Sequence, residues 1–340
     1  MTAAFITGLS GPTLTDRERD FFHVSQPAGL ILFRRNVPDH ARIADLVGSV
    51  RDAVGRDDFL VLIDQEGGRV QRIKPPGAQE LPPASAFADM YAEDPGRARQ
   101  AAFIVARLAA DELSAYGITM NCAPVLDVPV EGAHDIIGDR AYGRHPAQII
   151  DLAREVAAGL LAGGVVPVIK HIPGHGRAMS DSHFELPLVS AVHDELSRSD
   201  FMPFKALAHL PAAMTAHVVF SDLDADNPAS TSARVTRDII RGEIGFDGLL
   251  MSDDLSMRAL TGAMRTRAEA VISAGSDLAL HCNGDFTEMQ QVAAGVPTLS
   301  GEAARRFAAA CALTRQVHPY DRDVAIAVLA EMTGGATAIA

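Results

Sequence analysis

The chain has 340 residues, of which 48% are apolar and 5% aromatic, and it contains no tryptophan. So apolar a chain can bury enough surface to offset its conformational entropy, which excludes intrinsic disorder. Its 30 basic and 43 acidic residues give a net charge of −13, which argues against binding to a nucleic-acid backbone.

Signals for export and for membrane insertion are both lacking. No apolar run approaches the ~20 residues that cross a bilayer. No lysine or arginine precedes Arg17, although a signal peptide would need a basic flank. The three cysteines form neither a disulfide framework nor a CxxC pair. We therefore expect a cytoplasmic protein in a reducing compartment, monomeric and with no membrane partner.

Eight short β-branched or apolar runs recur along the chain and predict strands. They cover residues 4–9, 29–33, 59–63, 119–125, 166–169, 213–219, 248–251 and 277–281. Segments with helical periodicity lie between or after them, at 40–54, 101–116, 149–161, 200–210, 233–244 and 269–274. Near-continuously apolar strands that alternate with helices are typical of a parallel sheet covered on both faces.

Eight such units predict an α/β fold, a single (β/α)₈ barrel domain over residues 1–340, with the last seven residues frayed. A doubly wound open sheet is the alternative. The absence of a GxGxxG motif after the first strand disfavours that alternative.

Charged or titratable residues lie at or just beyond the carboxyl ends of seven of the eight predicted strands. In a parallel barrel the active site lies at the carboxyl ends of the strands, so these residues predict a site there. In chain order they are Arg34 and Arg35, Asp64 with Glu66 and Arg69, Asp127, Lys170 with His171, His217, Asp253 with Asp254, and His281.

The segment after the fifth strand holds three of the 12 histidines. Its glycines and proline exclude a helix, so it is predicted to form a shaped loop. Asp181 and His183, two residues apart, can meet if this loop curls, and a carboxylate beside an imidazole favours the protonated form that a general acid needs. The simpler alternative is a loop whose histidines cap backbone groups. Zinc binding by His171 and His175 is disfavoured because the Pro-Gly interruption prevents a shared helix face. No metal is expected.

The second candidate centre is the aspartate pair after the seventh strand. Neighbouring strand residues face opposite sides, so one of the two points into the barrel mouth. The alternative is that both begin the next helix as capping acids, which fits Asp254 better than Asp253. For Asp253 we favour a catalytic role, because glycoside hydrolysis requires a carboxylate and a separate proton donor.

The motifs at residues 64–72 (DQEGGRVQR), 170–176 (KHIPGHG), 181–183 (DSH) and 252–255 (SDDL) resemble those of family-3 glycoside hydrolases. The resemblance runs from about 29 to 281 and is strongest to the short bacterial β-N-acetylglucosaminidases of cell-wall recycling. It implies a (β/α)₈ barrel without a cofactor. It also implies a retaining two-step hydrolysis of terminal N-acetylglucosamine from a small carbohydrate or muropeptide.

The resemblance also implies roles for particular residues. Asp253 would be the nucleophile, and His183 the general acid/base on a mobile loop with Asp181 as its partner. The residues that would hold the sugar are Asp64, Arg72, Arg140, Lys170 and His171. Charge-assisted hydrogen bonds suit a polyol in a chain without tryptophan.

Four alternatives and one departure accompany these roles. Arg140 could instead be a surface arginine paired with Asp139, and Asp64 with Arg72 a structural ion pair. The chain as a whole could be a non-catalytic sugar-binding barrel, or a phosphorylase in which phosphate resolves the intermediate. Residues 176–180 (GRAMS) depart from the smaller, more polar residues usual there, and His281 is assigned no role.

Overall fold

The computed structural model describes residues 1–314 and 316–332, and its centre is a closed barrel of eight parallel strands. The strands are β1 (Ala3–Thr7), β2 (Pro27–Leu32), β3 (Leu60–Ile63), β4 (Met120–Asn121), β5 (Val166–Ile172), β6 (Ala212–Thr215), β7 (Leu249–Asp254) and β8 (Leu278–His281). Each strand pairs with its neighbours in chain order, and β1 pairs with β8 to close the ring. The predicted (β/α)₈ barrel is confirmed.

Helices surround the barrel. They are α1 (Asp16–Ser25), α2 (Ile43–Val54), α3 (Ala84–Glu93), α4 (Pro95–Ala115), α5 (Pro146–Ala162), α6 (His193–Arg198), α7 (Phe201–Ala206), α8 (Met264–Ser273), α9 (Phe286–Gly295), α10 (Gly301–Leu313) and α11 (Arg322–Met332). A π-type helix, Val235–Glu243, lies between α7 and α8. Local capping sets some boundaries. For example, Asp94 accepts the amide of Gly96 at 2.9 Å, and Pro95 occupies the first turn of α4.

The core has two layers because successive strand residues face opposite sides. On β1, Ile6 packs inside the barrel and Phe5 packs between the barrel and the helices. On β3, Leu62 packs inside the barrel and Val61 packs towards the helices. All four side chains are at most 1% exposed. Burial on both faces explains the continuous apolar runs and leaves the strand ends as the places for polar groups.

Four strands, β4 to β7, end three or four residues away from the predicted position. β5 continues to Ile172 instead of ending at residue 169, and β6 ends at Thr215 instead of residue 219. β4 ends at Asn121 rather than at residue 125, because Pro124 has no N–H group to donate to the ladder. β7 continues to Asp254, and the next helix begins at Met264. The alternative in which Asp253 and Asp254 begin a helix is therefore wrong.

Each predicted helical segment overlaps an observed helix, but the helices at both ends of the chain are additional. The structure adds α1, α9, α10 and α11, as well as α3 in the long connection after β3 and α6 in the connection after β5. The predicted frayed tail lies outside the described residues. Among the helices of residues 1–314 and 316–332, none combines the length and the apolar character needed to cross a membrane.

Candidate active site

The segment after β3, residues 64–72, contains a small antiparallel hairpin. Gly67 and Gly68 turn the chain with φ angles of 108° and 54°, which glycine adopts without strain. The amide of Arg72 donates to Gln65 Oε1 at 3.0 Å and ties the returning chain to the outgoing one. The hairpin therefore brings the two ends of the segment together at the carboxyl end of the barrel.

Five charged side chains from three segments form one network here. Lys170 Nζ lies 3.0 Å from Asp64 Oδ1 and 2.6 Å from Glu66 Oε1. Arg140 donates to both oxygens of Glu66 at 2.9 Å, and Arg72 Nη2 lies 2.8 Å from Asp64 Oδ2. Three cations and two carboxylates leave a net charge of +1 in the network.

The network keeps its members ionised despite their burial. Burial alone raises the pKa of Asp64, but Lys170 and Arg72 outweigh it and hold that pKa far below its usual range. Burial likewise raises the pKa of Glu66, whereas Arg140 and Lys170 lower it to about 2. The pKa of Lys170 is raised, because the two carboxylates outweigh the effect of burial.

This arrangement corrects one alternative interpretation and retains another. Arg140 pairs with Glu66, and its side chain is 11% exposed, so the interpretation as a surface arginine paired with Asp139 is wrong. Asp139 instead pairs with Arg69. Asp64 and Arg72 do form an ion pair, and both side chains line the cavity described below.

The lowered pKa of Glu66 predicts a pH-dependent loss of stability. A carboxyl whose pKa falls from 4.5 to about 2 on folding stabilises the fold above pH 4.5, by roughly 3 kcal/mol, and this contribution disappears as the pH falls towards 2. Glu66→Gln lacks this titration. Urea unfolding between pH 7 and 3 measures the free energy of unfolding of wild type and Glu66→Gln. The difference between these free energies should be constant above pH 5.5 and smaller below pH 4. A difference independent of pH would contradict the assignment.

Asp127, which is fully buried, organises the chain after β5. Its Oδ1 accepts the amides of His171 and His175 at 3.2 and 2.6 Å, and its Oδ2 accepts His171 Nδ1–H at 2.7 Å. Burial raises the pKa of Asp127, but His171 outweighs this effect and lowers it. The carboxylate thus fixes the orientation of the His171 ring.

His175 differs from His171 in its surroundings. Its Nδ1 is buried and has no hydrogen-bond partner among the described residues. Burial, followed by the proximity of His171, lowers the pKa of His175 to about 4, so its ring is neutral at neutral pH. Next to it, a Cβ on Gly176 would lie 2.1 Å from the Val128 carbonyl oxygen, so only glycine fits.

Asp253 lies near the end of β7 and is 7% exposed. Burial raises the pKa of its carboxyl, but His171, His217 and the amide of Asp254 together outweigh burial and hold the pKa below its usual range. The Asp254 amide donates to Asp253 Oδ1 at 2.8 Å. Asp253 is therefore an ionised, buried carboxylate at neutral pH.

His217, two residues after β6, supports this strand end. Its Nε2–H donates to the Asp254 carbonyl at 3.1 Å, and its Nδ1 accepts the Ser230 hydroxyl at 2.7 Å. Burial lowers the pKa of His217, which is consistent with this neutral tautomer. His217 therefore holds the backbone beside Asp253.

Asp254 has a structural role, although it holds a turn and does not begin a helix. Its Oδ1 accepts the amides of Ser256 and Cys282, each at 3.0 Å, and its Oδ2 accepts the Ser256 hydroxyl. These bonds hold the turn after β7 against the end of β8.

Residues 173–187, which we call the His183 loop, lie between β5 and the next extended segment. Asp181 Oδ1 accepts both the His183 amide at 2.9 Å and the His183 Nδ1–H at 2.7 Å. The loop curls in the way that the two-residue spacing predicts. The His183 side chain is 54% exposed and that of Asp181 is 13% exposed.

A cavity of about 300 Å³ opens at the carboxyl end of the barrel. Its polar wall contains all the predicted sugar-binding residues and two of the predicted catalytic ones, namely Asp64, Arg72, Arg140, Lys170, His171, His183 and Asp253. Asp181 does not line the cavity and is connected to it through its hydrogen bond to His183. Within the described ranges, no group of three or more His, Cys, Asp or Glu side chains has a metal-binding arrangement.

Some strand-end residues serve the scaffold instead. Arg35 donates to the backbone carbonyl of Leu9 at 2.8 Å, and His281 is fully buried with Nε2 3.1 Å from Glu288. Conversely, Glu66 joins Arg140 to Lys170, a specific role that its strand-end position alone does not predict. A usable signal existed, because residues two apart on an extended chain face the same side, as Asp64 and Glu66 do here.

The cavity combines the groups needed for chemistry at a sugar. An ionised carboxylate and an imidazole held by a carboxylate line one space and can divide the roles of nucleophile and proton donor. The charged network beside them offers both donors and acceptors to hydroxyl groups.

Comparison with known proteins agrees with this chemistry. Residues 9–313 match the family described as glycosyl hydrolase family 3 N terminal domain. A beta-hexosaminidase of Methylococcus capsulatus is 40% identical over 324 residues, which cover 94% of this chain and 93% of the relative. A beta-hexosaminidase of Alkalilimnicola ehrlichii is 39% identical over 280 residues, or 81% of this chain and 79% of the relative.

Solved structures are similar over nearly the whole chain. Native NagZ from Neisseria gonorrhoeae superposes with a TM-score of 0.84 at 30% identity and covers 97% of this chain and 98% of its own. The structure of the same protein with bound N-trifluoroacetyl-D-glucosamine superposes with a TM-score of 0.85 at 29% identity. It covers 99% of this chain and 98% of its own. The chain belongs to glycosyl hydrolase family 3 and is a glycoside hydrolase, a β-N-acetylhexosaminidase.

Proposed function

We propose that the protein is a retaining exo-β-N-acetylglucosaminidase that removes terminal non-reducing N-acetylglucosamine through a covalent intermediate on Asp253. One observation carries the proposal: Asp253 and His183 line the same cavity as the charged network of Asp64 and Lys170. A nucleophile, a proton donor and hydroxyl-binding groups therefore surround one space large enough for a sugar ring.

In the first step, an oxygen of Asp253 attacks the anomeric carbon while the bond to the leaving oxygen breaks. Protonated His183 gives its proton to that oxygen and becomes neutral. In the second step, His183 takes a proton from water, whose oxygen attacks the same carbon and frees Asp253. Two inversions at one carbon retain the β configuration. Asp181 orients the imidazole throughout and stabilises its charged form.

The charged network and His171 hold the sugar in this proposal. Asp64 accepts hydroxyl hydrogens, and Lys170, Arg72 and Arg140 donate to hydroxyl oxygens, with geometry fixed by their mutual ion pairs. The neighbouring NagZ structure with N-trifluoroacetyl-D-glucosamine supports an N-acylglucosamine as the sugar.

We further propose peptidoglycan fragments, N-acetylglucosaminyl-anhydro-N-acetylmuramyl peptides, as natural substrates. The resemblance of the sequence motifs to those of the short cell-wall-recycling enzymes supports this class, and the chain is similar to NagZ over nearly its whole length. In this proposal the chain acts in the cytoplasm as a monomer with one catalytic domain, and it needs no metal or cofactor.

Phosphorolysis is the second candidate, favoured by one feature of the site. The predicted acid/base is a histidine, and an imidazole is neutral once it has donated its proton. A carboxylate in that position would be anionic and would repel phosphate. Phosphate can therefore compete with water for the glycosyl-enzyme.

One experiment tests both functions. The protein is incubated with p-nitrophenyl β-N-acetylglucosaminide with and without phosphate, and products are followed by NMR. We expect β-N-acetylglucosamine as the first product and a much lower kcat/KM on the β-glucoside. A first-formed α product would contradict the covalent mechanism, and sugar 1-phosphate would establish phosphorolysis. Binding of the substrate without turnover would instead support a non-catalytic sugar-binding protein.

Glu66→Gln is expected to raise KM for the same substrate about tenfold, equivalent to ~1.4 kcal/mol of binding, with a smaller change in kcat. The substitution removes the charge that holds Arg140 and Lys170, and neither group takes part in proton transfer. Steady-state kinetics measure the effect. Asp238→Asn, which alters an exposed ion pair with Arg237, is the control and should match wild type. A fall in kcat alone would contradict the binding role.

A further inference from the structure

The first part of the His183 loop is packed against the barrel mouth. Ala178 is 1% exposed, and its carbonyl accepts the amide of His134 at 2.9 Å. The Gly176 carbonyl accepts the amide of Val130 at 3.3 Å. Beyond this point the loop is more exposed, with Met179 65% exposed.

Between these contacts, the Arg177 side chain joins the loop to two helices. Its Nε donates to Asp200 Oδ2 at 2.7 Å, next to the start of α7, and its Nη1 to Glu195 Oε1 of α6 at 2.5 Å. The Asp200 side chain is 1% exposed, and Arg177 is its ion-pair partner among the described residues. Asp200 Cβ also lies 3.1 Å from the Cβ position on Gly174.

The loop has a second attachment on the other side of the cavity. The Ser182 carbonyl accepts the amide of Ala259 at 3.3 Å, and the Ser182 hydroxyl lies 3.8 Å from Met257 Sδ. Both partners belong to the turn after β7, the strand of Asp253. His183, adjacent to Ser182, therefore follows a six-residue span, residues 177–182, that runs from Arg177 to this second attachment.

We propose that Arg177 is a positioning residue for proton transfer, because its bridge to Asp200 and Glu195 fixes the start of the span that places His183. The inference rests on the proposed acid/base role of His183. Arg177 is outside the cavity wall, and it reaches the reaction only through the loop backbone.

The test uses two N-acetylglucosaminides, one with a poor alkyl leaving group and one with dinitrophenolate. Arg177→Ala should lower kcat/KM for the poor leaving group about 10- to 100-fold, because small misplacement of a reacting group has effects of that order. The dinitrophenyl substrate needs little protonation, so it should lose less than about threefold. A variant with a smaller folded fraction would slow both substrates equally, so the ratio of the two effects separates positioning from stability.

Two milder variants keep the test usable if Arg177→Ala does not fold. Arg177→Lys retains a cation for Asp200 but cannot bridge both carboxylates, and Glu195→Gln weakens one arm at a half-exposed site. Both should show the same selectivity for the poor leaving group at lower magnitude. Arg198→Ala, at an exposed pair with Asp194 on the same helix, is the control and should match wild type.

The outcomes separate this inference from the function on which it rests. If His183→Ala shows leaving-group selectivity and the Arg177 variants do not, the positioning role is overturned and the acid/base role stands. If His183→Ala shows no selectivity, both are overturned. Selectivity in both sets, graded from His183→Ala down to Arg177→Lys, is the expected result.

Discussion

Replacing His183 by alanine is expected to slow hydrolysis of a poor leaving group by roughly 10²- to 10⁴-fold, the usual range for general acid catalysis. The alkoxide then has to depart without a proton from the protein. A dinitrophenolate is stable without protonation, so formation of the glycosyl-enzyme from that substrate should lose much less. Pre-steady-state release of dinitrophenol measures this first step separately.

The second step gives an additional expectation for the same variant. Without His183 no base activates water, so the glycosyl-enzyme formed from the activated substrate should accumulate. A burst of dinitrophenol followed by slow turnover is the signature. Asp181→Asn should give a weaker form of the pattern, because the imidazole remains but loses its charged partner.

The structure offers a matched control for the histidine itself. His193 also pairs with a carboxylate, that of Glu243, and its side chain is 48% exposed, but it lies outside the cavity wall. His193→Ala should leave the leaving-group dependence unchanged. If His183→Ala slowed both substrates equally, or neither, the acid/base role would belong to another group.

The fold could be predicted from the sequence because the barrel has a simple physical pattern. Strands buried on both faces read as short apolar runs, and their carboxyl ends have to carry the polar groups. Asp253, His171 and Lys170 were found in this way, each at the end of a predicted strand. The apolar pattern does not locate a strand end where one residue interrupts the ladder, as Pro124 does after β4.

The partners of these residues could not be predicted from local pattern. Glu66 and Arg140 are 74 residues apart, and Lys170 is 106 residues from Asp64, so only the closed barrel brings them together. The same applies to Arg177, whose partners on α6 and just before α7 lie 18 and 23 residues further along the chain. Sequence spacing identifies the reacting groups, whereas tertiary packing decides what positions them.

Asp253→Asn is expected to abolish turnover, with a loss of roughly 10⁴-fold or more out of the ~10⁶- to 10¹⁷-fold acceleration that enzymes reach. An amide has nearly the same shape as the carboxylate but cannot form the glycosyl ester. Because the carboxylate is buried beside His171 and His217, its charge also stabilises the positive charge that develops on the sugar ring. Both contributions disappear in the variant.

A trapping experiment locates the nucleophile directly. A 5-fluoro glycosyl fluoride of N-acetylglucosamine slows both steps, because the ring fluorine destabilises the oxocarbenium-like transition state, while the fluoride leaving group keeps the first step possible. Digestion and mass spectrometry should find the sugar on a peptide that contains Asp253, with fragmentation assigning it to that residue. Asp254 is the built-in control, since its carboxylate is occupied by the amides of Ser256 and Cys282. A label on Asp254, or an unlabelled protein after complete inactivation, would contradict the assignment of Asp253 as the nucleophile.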